Sequence, residues 1–260
     1  GGRWLWEKSE DIFIGLQLSK RTSSRPVRPQ SHRCDILQFA TVDELTQEAH
    51  DTARTLASEF MVTPPTSDDL RCIQERQLRH RAGDAIAVSP PCRHGFPQAF
   101  AFAPVGHKIS SGLFRLSCPL LVQAIDTLEE DGGLEDMNEQ LEIDHGLRQD
   151  FMAVNLVHGN IRRRLVRPEH ERRLHETMGE EGSERFLSSG ITGVNPSKVR
   201  DAKCLHAHVA DALMRGREVS AIGRLTLELL EDEGLETRGC GTCYQQCDVR
   251  IEETPETWRW

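Results

Sequence analysis

Leu113-Phe114-Arg115-Leu116-Ser117-Cys118-Pro119-Leu120-Leu121 is the stretch whose reading decides the fold. Its first four residues form a short apolar run, the signature of a strand. Pro119 then occupies the first position of a helix, where its missing N–H costs nothing. Leu120, Leu121, Ala124, Ile125 and Leu128 follow as that helix's buried stripe. Upstream, Ala85-Ile86-Ala87-Val88 and Ala99-Phe100-Ala101-Phe102 are further apolar runs, set apart by Pro and Gly. Together they predict a small antiparallel sheet over about residues 84–117.

Helical patterns surround this sheet. Thr41-Val42-Asp43-Glu44 has the capping-box form and opens a helix to about Phe60. Ser67-Asp68-Asp69 caps a second helix through Leu70, Ile73 and Leu78. Asp131-Gly132-Gly133 ends the Pro119 helix and Leu134 opens another. Residues 145–173 read as helix with weak points at Gly159 and Pro168, and residues 179–193 as a Gly- and Ser-rich loop. Asn195-Pro196 starts a helix carrying Val199, Ala202, Val209 and Leu213 on one face. A last helix holds Leu225, Leu227, Leu229 and Leu230. The fold class is therefore α+β, mostly helical, with the small sheet packed against helices.

Composition sets the outer limits. The 260 residues are 37% hydrophobic and 28% charged, with a net charge of −9. That balance predicts a folded core with solvated ends: a flexible extension over 1–40, one α+β domain over 41–235 and a cysteine-containing tail over 236–260. The negative charge argues against nucleic acid as a partner, since phosphate binding needs clustered Lys and Arg. Arg162-Arg163-Arg164 with Arg167, Arg172 and Arg173 is the one basic run, and interleaved Glu169 and Glu171 make it a solvated helix face. No apolar stretch approaches the roughly 20 residues a bilayer span requires.

Eight cysteines in a long chain without a secretory core point to an intracellular, reducing compartment. The chain begins Gly-Gly, as a fragment or processed form would. Residues 15–33 lack Asp and Glu and are rich in Arg, Ser and Pro. A plastid or mitochondrial transit remnant has that composition, and so does a flexible linker.

Three cysteine segments carry chemistry. Cys118 falls at the N-cap of the Pro119 helix, where the helix dipole is expected to lower its pKa and favour thiolate. Cys92 lies between Pro90-Pro91 and Arg93-His94-Gly95, a rigid entry and a Gly exit that suit a ligand loop. Cys204 is placed inside the Asn195 helix, sharing a face with His208 four residues on. His206, two residues from Cys204, points toward Ala202, Val209 and Leu213 if that helix is regular.

These segments resemble the domain of unknown function 501 (DUF501) family, common in actinobacteria and found in some eukaryotes. The family pattern is Cys-Pro-x-Gly-x-Pro, then Leu-Thr-Cys-Pro before a helix, then Val-Lys-Cys-Leu-His-Ala. Here Cys92-Arg93-His94-Gly95-Phe96-Pro97, Leu116-Ser117-Cys118-Pro119 and Lys203-Cys204-Leu205-His206-Ala207 stand in the same order. The resemblance covers about residues 78–216. Arg93 replaces the family's Pro, and Asp201-Ala202 looks like an insertion. It implies shared site residues and no particular reaction.

The leading functional expectation is a metal- or iron–sulfur-binding module acting within a larger assembly of protein partners. Cys92, Cys118 and Cys204 would converge, with His206 or His208 as fourth ligand to zinc or a cluster. One alternative is a thiol enzyme with Cys118 or Cys204 as nucleophile. The other is an interaction or scaffold protein without metal, using the Thr41 helix, the basic run and the Trp258/Trp260 end. Separately, Cys240-Gly241-Thr242-Cys243 with Cys247 suits zinc, an iron–sulfur centre, a redox dithiol or a flexible tail. Glu129, Glu130 and Asp131 read as a solvated helix end.

Overall fold

Three short antiparallel strands form the floor on which the helices pack. The computed structural model describes residues 62–79, 82, 85–105, 108–166, 168–198 and 201–251, all within the contact unit Ala40–Trp260. The expected Thr41 helix, the 1–40 extension and the Trp258/Trp260 end lie outside the described residues. The strands are β1 (Ala85–Val88), β2 (Ala99–Phe102) and β3 (Phe114–Leu116), in the order β1-β2-β3. Val88 pairs with Phe100 and Ala99 with Leu116.

Strand alternation sorts the two faces. Ala99, Ala101, Phe114 and Leu116 turn toward the main core. Phe100 points the other way, onto Val88 and Ile73. Both faces of β2 are thus covered, which explains why it reads as a continuous apolar run rather than an alternating one.

Among the described residues there are seven helices, in chain order α1 (Ser67–Arg71), α2 (Pro119–Glu130), α3 (Gly133–Ile143), α4 (His145–Leu165), α5 (Pro168–Ser188), α6 (Leu205–Arg215) and α7 (Ala221–Asp232). α1 is capped by Thr66, whose Oγ1 accepts from Asp69 N (3.1 Å) while Asp69 Oδ2 accepts from Thr66 N (2.9 Å). It passes into a π-turn, Cys72–Gln77, that buries Cys72, Ile73 and Gln77. α2 begins at Pro119, as its sequence dictates. Leu121, Ile125, Leu141, Phe151, Val157, Leu205, Val209 and Leu227 form the main core. Each such side chain contributes about 1.5–3 kcal/mol of burial free energy. α6 and α7 cross closely at Gly223, where an added Cβ would meet the His208 carbonyl oxygen at 2.1 Å.

Three expectations are corrected. The loop expected over 179–193 is confined to residues 189–193: beyond a break at Gly179 (φ 70°), helix resumes to Ser188 because Phe186 and Leu187 bury beside Leu174 and Val105. The helix expected from Asn195 starts only at Leu205, leaving Cys204 extended (φ −164°) at its N-cap. The basic run is not wholly a solvated face, because Arg162 is 0% exposed. Its guanidinium donates to the carbonyls of Phe186 (3.2 Å), Ser111 (2.6 Å), Gly190 (3.2 Å) and Ser189, tying the end of α5 to α4.

Candidate functional site

Cys204 caps α6 in position but not in bonding, since its side chain makes no cap hydrogen bond. The first free N–H of the helix, Leu205 N, is instead taken by Glu129 Oε1 at 2.6 Å, reaching over from the end of α2. This carboxylate satisfies an orphan donor and complements the helix dipole. It also fixes where Cys204 and His206 stand.

The three residues share one small space. Cys204 Sγ lies 3.8 Å from His206 Nδ1, and Glu129 Oε2 lies 3.5 Å from the same nitrogen. All three ligand atoms fall within 4.8 Å of one another. Ligands about 2.0–2.3 Å from one tetrahedral ion stand about 3.3–3.8 Å apart, so these spacings fit a single zinc. The other ring nitrogen, Nε2, faces Asp126 Oδ1 (3.1 Å) and the Val122 carbonyl (3.3 Å). Val122, Asp126 and Glu129 share one face of α2 by their three- and four-residue spacing. Burial pulls the His206 pKa down, but the hydrogen bond and charge of Cys204, with Glu129 and Asp126, outweigh it and raise the value to about 9. Glu129, read from the sequence as solvated, is therefore a site residue. Its i,i+3 spacing from Asp126 was the available signal.

Cys92 and Cys118 stand elsewhere. They line one pocket with Cys243 and Cys247, beside His94, Gln77, Gln98 and Tyr244. Cys118 is the N-cap of α2 as expected, but its thiol is not activated. At 7% exposure, burial dominates the helix N-terminus and pushes it up to about 12. Burial likewise pushes Cys243 up to about 12, with the neighbouring Cys240, Cys118 and Cys247 adding to the shift. A thiol so placed is protonated at neutral pH, which removes the basis for Cys118 as a free nucleophile.

His208 lies in the core, its ring 5.6 Å from Phe151. It is not in the Glu129–Cys204–His206 group, because α6 begins after Cys204 and the four-residue face-sharing does not apply. Nearby, buried Asp211 accepts from Arg215 Nε (2.6 Å) and lies 2.6 Å from His158 Nε2. The Arg215 charge holds Asp211 far below the usual carboxylate range against its burial. This network bridges α4 and α6.

Fold and site together define a mostly helical α+β protein that sets cysteines at the N-terminal ends of two helices, α2 and α6. The chain belongs to the family described as Protein of unknown function (DUF501), whose sequence model matches residues 88–228. No curated protein and no solved structure matches it. Among the described residues, no helix is long and apolar enough to cross a membrane.

Proposed function

We propose that this protein is a metal-binding module in which Cys204, His206 and Glu129 hold a zinc ion and leave the fourth position open. The observation that carries the reading is the convergence of a thiol, an imidazole and a carboxylate within 4.8 Å, drawn from two helices 76 residues apart. The surroundings of His206 support it. With the ring proton on Nε2, that N–H donates to Asp126 or to the Val122 carbonyl and leaves Nδ1 free for a metal, the arrangement typical of ligating histidines. Three protein ligands plus a water is the pattern of a site that does chemistry rather than one that only stabilises. A zinc ion there would lower the pKa of its bound water. Action within a larger assembly is part of the same proposal, and a pull-down with tagged full-length chain tests it.

The test is zinc content of chain purified without chelator or oxygen. Cys204→Ser and His206→Ala each remove one zinc per chain while circular dichroism stays unchanged. Asp126→Asn keeps all three ligands and weakens zinc affinity about 10–100-fold. Equal zinc in the parent and Cys204→Ser overturns the reading.

One observation favours a second use of the same residues. Cys204 Sγ stands 3.8 Å from His206 Nδ1, the placement of a nucleophile beside its general base, so without metal Cys204 serves as the nucleophile. Selective alkylation of Cys204 at neutral pH in protein that binds no zinc identifies that case.

A further inference from the structure

We propose that Cys92, Cys118, Cys243 and Cys247 bind a [4Fe–4S] cluster, in a second site that the family-matched region and the C-terminal segment build together. Cys92 and Cys118 lie inside the matched residues 88–228, whereas Cys243 and Cys247 lie beyond them. The site is independent of Cys204, His206 and Glu129.

The first argument is convergence. Residue 92 sits in a tight turn closed by Cys92 N to Phe96 O (2.8 Å) and Gly95 N to Cys92 O (2.9 Å). Residue 118 caps α2. Residues 243 and 247 bracket a 3₁₀ turn, Cys243–Gln246. The C-terminal segment is held against the other two by Arg93 N to Arg238 O (2.9 Å), Gln98 Nε2 to Thr237 O (2.7 Å) and Arg76 to Gln245 O (2.7 Å). Gly239 makes the approach possible: it has φ 112°, and a Cβ there would press on the His94 ring at 3.0 Å.

The second argument is that hydrogen-bond donors already stand at the sulfurs, which burial keeps protonated until a metal replaces the proton. Cys247 Sγ accepts from Gln77 Nε2 (3.3 Å), Cys243 Sγ from Cys240 N (3.3 Å) and Cys118 Sγ from Gln98 Nε2 (3.9 Å). Donors on sulfur stabilise metal-bound thiolate and tune a cluster's potential. The neighbouring Cys72 thiol and burial push Cys247 well up, with Gln77 and the Arg76 charge acting against them. Phe96, Pro97, Pro119 and Leu120 supply an apolar wall.

The third argument is spacing. Among the described residues only Glu129, Cys204 and His206 have all their ligand atoms within 4.8 Å of one another, so no three of these sulfurs do. A single zinc would need them about 3.8 Å apart. A four-iron cluster, with one thiolate on each iron, holds its ligands farther apart. Uptake is a ligand exchange with a small-molecule [4Fe–4S] tetrathiolate of charge −2: each protein thiol forms one iron–sulfur bond as one iron–thiolate bond of the incoming complex breaks. The proton of each protein thiol leaves on the displaced thiolate, so the cluster keeps its charge of −2 and four small thiols are released.

The full chain, expressed and purified without oxygen, is assayed for iron, acid-labile sulfide and visible iron–thiolate absorption. About four irons and four sulfides per chain are expected. Cys92→Ser and Cys243→Ser, at half-buried positions, abolish them, whereas Cys204→Ser leaves them at the parent level and so separates this site from the zinc site. Gln77→Leu keeps every ligand but removes a donor on Cys247, and lowers the cluster's midpoint potential. That readout holds even where a cysteine variant fails to fold. One zinc lost on Cys243→Ser, a Cys72–Cys247 disulfide in freshly isolated chain, or metal-free thiols all overturn the proposal.

Discussion

His208 gives a stability test whose size can be worked from its surroundings. The residue is 2% exposed, its Nδ1 has no partner, and its neighbours are Phe151, Asp211 and His158. Burial lowers its pKa from 6.5 to about 4, with the His158 charge acting in the same direction and the Asp211 charge opposing. The folded protein therefore keeps this imidazole neutral across a range where the unfolded chain protonates it. Between pH 6.5 and 4 the unfolded state holds the extra proton, so stability falls as pH falls. At roughly 1.4 kcal/mol per pKa unit, the loss is about 3 kcal/mol. That is a large part of the 5–15 kcal/mol that typically holds a domain together. His158 is shifted the same way and adds to the slope, whereas Asp211 acts only below the ordinary carboxylate range. Urea unfolding of the parent and His208→Phe at several pH values isolates His208 together with its coupling to His158 and Asp211, because the remaining groups cancel in the difference. The gap between the two curves should change by about 3 kcal/mol from pH 7 to pH 4, the parent losing more. Parallel curves would refute the claim that this histidine is a buried neutral core residue. Zinc content equal to the parent's in the same variant agrees with its place outside the Cys204 group.

Gly223→Ala drives a methyl into the His208 carbonyl, which is backbone and cannot swing aside, so a destabilisation of about 1–3 kcal/mol or more is expected in urea titration. Asp211→Asn leaves the buried Arg215 guanidinium without its counter-charge and should cost about 3–5 kcal/mol by thermal or urea unfolding. The double change Asp211→Leu with Arg215→Met costs less than Asp211→Asn alone, because no buried charge is left unpaired.

The parts of the fold legible from sequence are those whose signals are local. Pro119 marks the start of α2 because its ring presets φ and its missing N–H is no loss there. The three strands are short enough to be framed by Pro and Gly. α6 was misread because its cap is not in its own sequence. Glu129 supplies it from 76 residues away, and no local residue at 195–204 announces that. α5 runs past Gly179 for a similar reason: Phe186 and Leu187 gain burial against Val105 and Leu174. The chain breaks helical geometry at Gly179 itself (φ 70°, ψ 174°), a left-handed φ that glycine adopts freely, and resumes helix beyond it. Charge patterning cannot show that three carbonyls near the end of α5 and the Ser111 carbonyl before β3 converge on Arg162.

The candidate sites were half legible for a related reason. Composition identified the cysteines, but their partition depends on how the C-terminal segment docks. Two glutamines govern that docking, and neither stands out in the sequence. The Gln77 amide nitrogen donates to Pro97 O (2.8 Å) and to Cys247 Sγ (3.3 Å). The Gln98 amide nitrogen donates to Thr237 O (2.7 Å) and to Cys118 Sγ (3.9 Å). A primary amide carries two N–H donors, so each glutamine can hold one backbone carbonyl and one sulfur at once. Leucine in either place would keep the volume and lose both bonds. The sequence grouped Cys92, Cys118 and Cys204 by motif. The fold groups Cys92 and Cys118 with Cys243 and Cys247, because a buried amide that positions a sulfur also fixes the segment that carries it or packs beside it.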